Sequence, residues 1–154
     1  MNQWMAVAID EAMKGLAARD GGPFGAVVVL KGEVIASGHN QVVSSHDPTA
    51  HAEIVAIRRA SEKLGRFDLS DCEIYSTCEP CPMCYAAIHW AKIKRLVYGA
   101  TREDAASIGF DDAYLYNILR GTAEDIGFQK VHLDRDACLK AFRIFESDAN
   151  KTMY

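Results

Sequence analysis

The run Ala26-Val27-Val28-Val29-Leu30 constrains the fold more than any other stretch of this chain. A strand with one wet face alternates apolar and polar residues. Five apolar residues in succession describe a strand covered on both faces, so helices should flank the sheet that contains it. Lys31-Gly32 follows and then EVIASGHN, residues 33–40, which reads as a second strand joined by a two-residue hairpin turn and therefore antiparallel. Upstream, Trp4, Met5, Ala8, Ile9, Ala12, Met13 and Leu16 recur with a helical step, giving an amphipathic first helix that ends before Gly21, Gly22 and Pro23.

Beyond the hairpin the same punctuation continues. The polar loop SSHDP leads into TAHAEIVAIRRASEKLG, a helix that Asp47 or Thr49 can cap and that Gly65 ends. CEIYSTC (72–78), CPMCYAAIHWAK (81–92) and KRLVYGA (94–100) read as strand, helix and strand, which implies parallel pairing of the two strands. REDAASIGFDDAYLYNILRG (102–121) holds one or two short helices, IGFQKVHL (126–133) offers a fifth strand, and DRDACLKAFRIFESDANK (134–151) a last helix. No repeat or linker interrupts this order, and 154 residues suffice for one domain over 1–154 with a substantial core.

Composition removes several classes of function. No apolar run approaches the roughly 18 residues of a membrane span, so no membrane association is expected. The first fifteen residues carry acids and no basic leader, which places the protein in the cytoplasm. Seventeen Lys and Arg stand against 21 Asp and Glu, a formal charge of −4 that repels a polyphosphate, so long nucleic acids are not expected as partners. From Asp134 onward four acids (Asp134, Asp136, Glu146, Asp148) balance four bases (Arg135, Lys140, Arg143, Lys151), so the terminal helix is not a basic arm.

The chemistry is announced by CEPCPMC, residues 78–84, three of the chain's five cysteines within seven positions. That heptapeptide is too short for a disulfide framework and points to metal or redox chemistry. Pro82 suits the first position of a helix, which makes Cys81 its cap and puts Cys84 at the third position, both at the positive helix end that favours thiolate. Cys78 lacks that support because Pro80, two residues on, has no amide proton, so Cys78 is read as a non-ligand. Of the five histidines only His51 opens a helix and is followed two positions later by an acid, Glu53. Three ligands, His51, Cys81 and Cys84, leave zinc an open position for water, with Glu53 beside it as proton carrier. A closed site of Cys78, Cys81, Cys84 and a histidine is the competing arrangement; it predicts a folding metal in a binding module without catalysis.

HAE at 51–53 with PCPMC at 80–84 resembles the signature of the zinc-dependent cytidine deaminase superfamily. The fold implied by that resemblance is a three-layer α/β/α domain with a five-stranded mixed sheet, in agreement with the element order above. Within the superfamily the chain is most similar to bacterial guanine deaminases, through GGPFGAVVV (21–29), DPTAHAE (47–53), CEPCPMC, GFDDAYLY (109–116) and the ending NKTMY. The resemblance implies one Zn2+ per chain and hydrolysis of guanine, a small purine base, to xanthine and ammonia. GGPFGA and DPTAHAE are similar to segments of adenosine-specific tRNA deaminases as well, so GFDD and NKTMY discriminate; deamination of tRNA adenosine, free nucleosides or pyrimidines is the alternative. It also implies the pocket: Asn40 reading the purine edge, Phe24 or Trp90 as an apolar wall, the amides of Ala52 and Cys81 as donors. Asp112, in preference to the helix-capping Asp111, accepts from guanine or assists departure of the amine. Tyr154 closes over the pocket at the end of a helix and tail, about 134–154, that some members exchange between the subunits of a homodimer.

Overall fold

The computed structural model describes residues 1–154. Four strands form one sheet in the order β2-β1-β3-β4: β1 (Gly25–Leu30), β2 (Glu33–His39), β3 (Cys72–Cys78) and β4 (Arg95–Ala100). The apolar run lies where its pattern requires, between two neighbours: β1 pairs antiparallel with both β2 and β3, and Val27 to Val29 are almost wholly buried. Lys31 and Gly32 make the hairpin turn with φ of 51° and 85°, left-handed values that the glycine accepts at no steric cost. Between Val28 and Val29 the register shifts because β2 carries an extra residue, Ile35, between Val34 and Ala36. β3 and β4 are parallel, joined across α4 (Pro82–Trp90) as the strand-helix-strand pattern expects.

Each face of the sheet has its own apolar layer, as a centrally placed, non-alternating strand demands. On one side α1 (Gln3–Ala18) packs Ala8, Trp4 and Met5 over Val27, Val29 and Tyr75. Asn2 caps it by accepting from the amides of Trp4 and Met5. On the other side α3 (Ala52–Leu64) and α4 bury Ala52, Ala56, Ala60 and Ile88 against Ala26, Val28 and Ile74. Small residues on α3 let it approach closely; a Cβ on Gly38 of β2 would lie 2.9 Å from the Ala56 nitrogen. Gly25 is tighter still, its missing Cβ falling 2.0 Å from the Ala8 carbonyl oxygen of α1.

Three features depart from the sequence reading. The loop after β2 contains one short helical turn, α2 (Val42–Ser45). Asp47 and Thr49 do not cap α3; Asp47 Oδ1 instead accepts from the Thr49 amide (2.8 Å) and hydroxyl (2.7 Å), and His51 is the cap residue. No fifth strand forms. Residues 126–133 lie exposed, with Ile126, Phe128, Val131 and Leu133 all facing solvent, because the chain does not carry them to the open outer edge of β4. The segment 102–121 forms α5 (Arg102–Ser107) and α6 (Ala113–Arg120), and the last helix, α7 (Arg135–Ser147), buries no residue. No helix is long and apolar enough to cross a membrane.

Candidate metal centre and its pocket

Two helices on the same face of the sheet bring their N-termini to one point. His51 is the cap residue of α3 and Cys81 the cap residue of α4, both with extended backbone, and neither makes a side-chain capping hydrogen bond. Pro82 occupies the first turn of α4 and starts that helix without needing an amide partner. The two freed cap side chains meet: Cys81 Sγ lies 3.5 Å from His51 Nδ1. Cys84, one turn into α4, completes a group in which one nitrogen and two sulfurs all lie within 4.8 Å of one another. Because His51 precedes the first helical residue, it and Glu53 converge instead of splaying as they would within a helix.

The charge distribution of this trio fits a dication. Hydrogen bonding from the Cys84 thiol, with help from His51 and against burial, draws Cys81 down to about 4. The same sulfur pair pushes Cys84 strongly up, with burial adding to it. Two sulfurs thus share one proton, which a metal between them would displace. The His51 imidazole is raised by its contact with Cys81. Nitrogen and sulfur donors in this number suit zinc with a fourth position left free. Cys78, at the end of β3, is not in the group; its thiol donates toward the Thr101 carbonyl (3.5 Å) and burial pushes it up to about 11.

Glu53, in the first turn of α3, is 6% exposed and accepts from the Ser76 hydroxyl of β3 at 3.1 Å. Burial holds its carboxyl above the usual carboxylate range. Ala52 opens α3, so its amide is among those the helix leaves without an internal partner.

A cavity of about 450 Å³ opens over this group, lined among others by Phe24, Asn40, His51, Glu53, Cys81 and Asp112. Asn40, just past the end of β2, is 5% exposed; its amide donates to the Phe24 carbonyl and its Oδ1 accepts from the Val42 amide at 3.1 Å. Phe24 meets Phe110 edge to face, centroids 5.0 Å apart. Asp111 and Asp112 both line the cavity and divide in role: Asp111 Oδ1 accepts from the Ala113 amide at 2.9 Å at the start of α6, while Asp112 makes no such bond. Burial raises the Asp112 carboxyl, helped by charge on Cys81 and opposed by Arg102.

Trp90 and Tyr154 are not brought to this cavity. Trp90 sits at the far end of nine-residue α4, about 12 Å along the axis from its N-terminus, and is 67% exposed. The aromatic wall is instead Phe24 with Phe110. Tyr154 lies against Trp90 and Phe67, at centroid distances of 6.1 and 6.2 Å, on the surface away from the trio. Sequence reasoning missed Phe110, although it stands within the quoted GFDD, and missed Arg102 and Glu79. Those two pair across the rim (Nε to Oε1, 3.4 Å), and Arg102 stacks on Tyr116, whose hydroxyl donates to the Pro80 carbonyl at 2.8 Å. A single charged residue carries no signal of such a partner on its own.

The fold and the nitrogen-sulfur trio define an α/β metalloprotein whose ligands come from two helix starts on one side of the sheet. Residues 1–100 match the family described as the cytidine and deoxycytidylate deaminase zinc-binding region, and the chain belongs to that family. Its metal is zinc, and the trio offers one site for it. The chain is 47% identical over 149 residues to the guanine deaminase of Bacillus subtilis (strain 168), covering 96% of this chain and 94% of that protein. The crystal structure of guanine deaminase from Bacillus subtilis superposes with a TM-score of 0.89 at 46% identity, covering 100% of this chain and 99% of that one. A tRNA-specific adenosine deaminase from Buchnera aphidicola subsp. Schizaphis graminum (strain Sg) is 35% identical over 144 residues, covering 92% and 91%.

Proposed function

We propose that the chain is a zinc-dependent aminohydrolase that converts guanine to xanthine and ammonia. The observation that carries this reading is the polarity of the cavity. Glu53 stands at its floor, Glu79, Asp111 and Asp112 lie around it, and Arg102 is the one basic side chain other than His51 along the lining. The carboxylates there repel a phosphate-bearing substrate and do not repel an uncharged base. Carboxylates accept from the N–H groups on guanine's pyrimidine ring, and the Asn40 amide both donates and accepts toward a purine edge. Phe24 and Phe110 supply apolar faces for a flat ring. Identity to a guanine deaminase over nearly the whole chain supports the same base.

His51, Cys81 and Cys84 would hold the zinc. When bound, zinc supplies an open position where water becomes acidic enough to act as nucleophile near neutral pH. Glu53 takes a proton from the attacking water and gives it to the ring nitrogen beside carbon 2. As the carbon–nitrogen bond to the exocyclic amine breaks, the remaining hydroxyl proton passes to that amine, with Glu53 or Asp112 as its carrier, and ammonia leaves. The two converging helix N-termini, including the amides of Ala52 and Cys81, stabilise negative charge developing at the reacting carbon's oxygen.

The terminal segment supports a homodimer built by exchange. Phe142, Ile144 and Phe145 of α7 are exposed, as are the apolar residues of 126–133, and β4 has an open edge able to receive a strand. Seated on a second copy, this tail would bury its apolar face, and Tyr154 would be free to close a pocket there.

The test is ammonia release from a panel of free purines, pyrimidines and nucleosides alongside a tRNA anticodon stem-loop. Guanine should be preferred. A preference for the RNA adenosine, the activity of the Buchnera relative, would refute the assignment.

A further inference from the structure

A cluster of charged side chains sits on the α1 side of the sheet, away from the zinc ligands, and none of the chemistry above uses it. His39, the last residue of β2, places Nε2 2.8 Å from Asp20 Oδ2 and Nδ1 3.3 Å from Glu11 Oε2. The other oxygen of Glu11 accepts from Lys14 Nζ at 2.7 Å. The His39, Glu11 and Asp20 side chains are 13%, 10% and 22% exposed. The imidazole lies flat on α1 where Gly15 leaves room; a Cβ there would fall 2.7 Å from His39 Cδ2. Each ring nitrogen faces a different carboxylate, so the imidazole bridges the two.

What the ring joins is informative. Asp20 follows the left-handed C-cap of α1 at Arg19, and its carbonyl accepts from the amides of Val43 (2.9 Å) and Ser44 (3.1 Å). Gly21, the next residue, abuts Asn40 so closely that a Cβ on it would lie 2.0 Å from Asn40 Oδ1. On the other side of the His39–Asp20 bond, Asn40 follows His39 directly and donates to the Phe24 carbonyl at 3.0 Å. The clamp therefore closes a ring of chain whose inner wall is Gly21, Phe24 and Asn40, with Phe24 and Asn40 lining the cavity.

We infer that His39 is a positioning residue for base recognition: by tying the end of α1, through Asp20 and Glu11, to the end of β2, it fixes Asn40 and Phe24 against the substrate. This rests on the deaminase reading above, though not on the identity of the base. The side chain that reads a purine edge must hold its orientation within a few tenths of an ångström, and Asn40 is anchored locally only by Val42 and Phe24.

His39→Gln tests it. Gln keeps one donor and loses the second bond. With zinc-loaded enzyme and whichever base the wild type turns over best, KM should rise about tenfold while kcat stays within about threefold, the signature of lost ground-state positioning. Zinc content should remain one per chain. Asp20→Asn, which keeps an acceptor at the more exposed end and is the milder change, should shift KM in the same direction by less and serves where His39→Gln folds poorly. His89→Gln, at the far end of α4, is the control. An unchanged KM in both variants, or a loss that follows zinc content and Tm with KM constant, would show the cluster to be scaffold only and would overturn the inference. A wild type that ignores guanine but deaminates another base refutes the substrate assignment and leaves this test intact.

Discussion

Glu53→Gln separates a deaminase from a zinc-stabilised binding module most sharply, because the structure allows the change to remove a proton carrier and little else. The side chain is 6% exposed, and its side-chain partners, the Ser76 hydroxyl at 3.1 Å and the Cys84 thiol, can both donate to an oxygen that glutamine also possesses. The amide has the same shape, so neither a cavity nor an unsatisfied hydroxyl is created. Burial raises the carboxyl, meaning that the site resists its charged form; a neutral amide relieves that cost, and stability should hold or rise. Catalysis loses the group that moves a proton from water to the ring, an effect of about 10²- to 10⁴-fold in kcat, or roughly 2.7–5.4 kcal/mol of barrier. The assay is steady-state ammonia release from guanine, with zinc content and Tm measured on the same preparation. Turnover within a factor of about three of wild type, at unchanged zinc content, would refute Glu53 as the proton carrier, whereas no ammonia release by the wild type itself would favour a site without catalysis.

Other expectations follow from the same geometry. Cys78→Ser should retain one zinc per chain while Cys84→Ser should lose it, measured by metal analysis after gel filtration; loss of zinc from the Cys78 variant would revive the closed four-ligand site. Gly25→Ala drives a methyl to 2.0 Å from the Ala8 carbonyl oxygen, which should cost about 3 kcal/mol and lower Tm by roughly 10 °C; an unchanged Tm would mean α1 is not seated on β1 as described. Hydrogen bonds from Lys14 and His39 bring Glu11 below its ordinary value despite burial, and the bond from His39 does the same for Asp20. Depressed carboxyls stabilise the fold above about pH 4.5, and that contribution is lost as pH falls through their folded values. Wild-type Tm should therefore fall more steeply with acid than that of Glu11→Gln, and parallel curves would contradict the ion cluster. Under the proposed tail exchange, the full chain should be a dimer and the chain lacking residues 134–154 a monomer whose turnover falls more than its Tm, read by light scattering and kinetics; a dimer that survives the deletion would exclude tail exchange as its basis.

The parts of the fold that local rules could place are those whose partners lie within the same stretch of chain. The uninterrupted run Ala26–Leu30 announced a strand covered on both faces, and Lys31-Gly32 announced its turn. Pro82 located the start of α4 and so made Cys81 a cap. The failure at residues 126–133 has the opposite origin. Ile126, Phe128, Val131 and Leu133 give an apolar pattern suited to a strand, but a strand exists only beside another, and this segment has no neighbour within its own chain. Sequence records what a segment can pair with and not where the pairing edge will be. Trp90 failed for a related reason: an aromatic residue nine positions from a ligand looks near in sequence, and the helix carries it to the other end.

The same distinction explains why the metal trio was legible and the wall of the pocket was not. His51 and Cys81 are cap residues whose side chains forgo capping, and a cap is a local property that proline, helix periodicity and a nearby acid reveal. Phe110 and Arg102 reach the cavity through α5 and the turn before α6, elements whose placement depends on distant contacts such as Tyr116 on Pro80. Chemistry common to a family is thus written in local pattern, whereas the wall of the cavity is written in the packing of residues 100–121 and 20–24. Exchanging residues 100–121 for the equivalent segment of a tRNA-acting relative should therefore change which base is deaminated while leaving zinc stoichiometry at one per chain. If base preference survives that exchange, selection resides in the Asn40 wall and its His39 clamp alone.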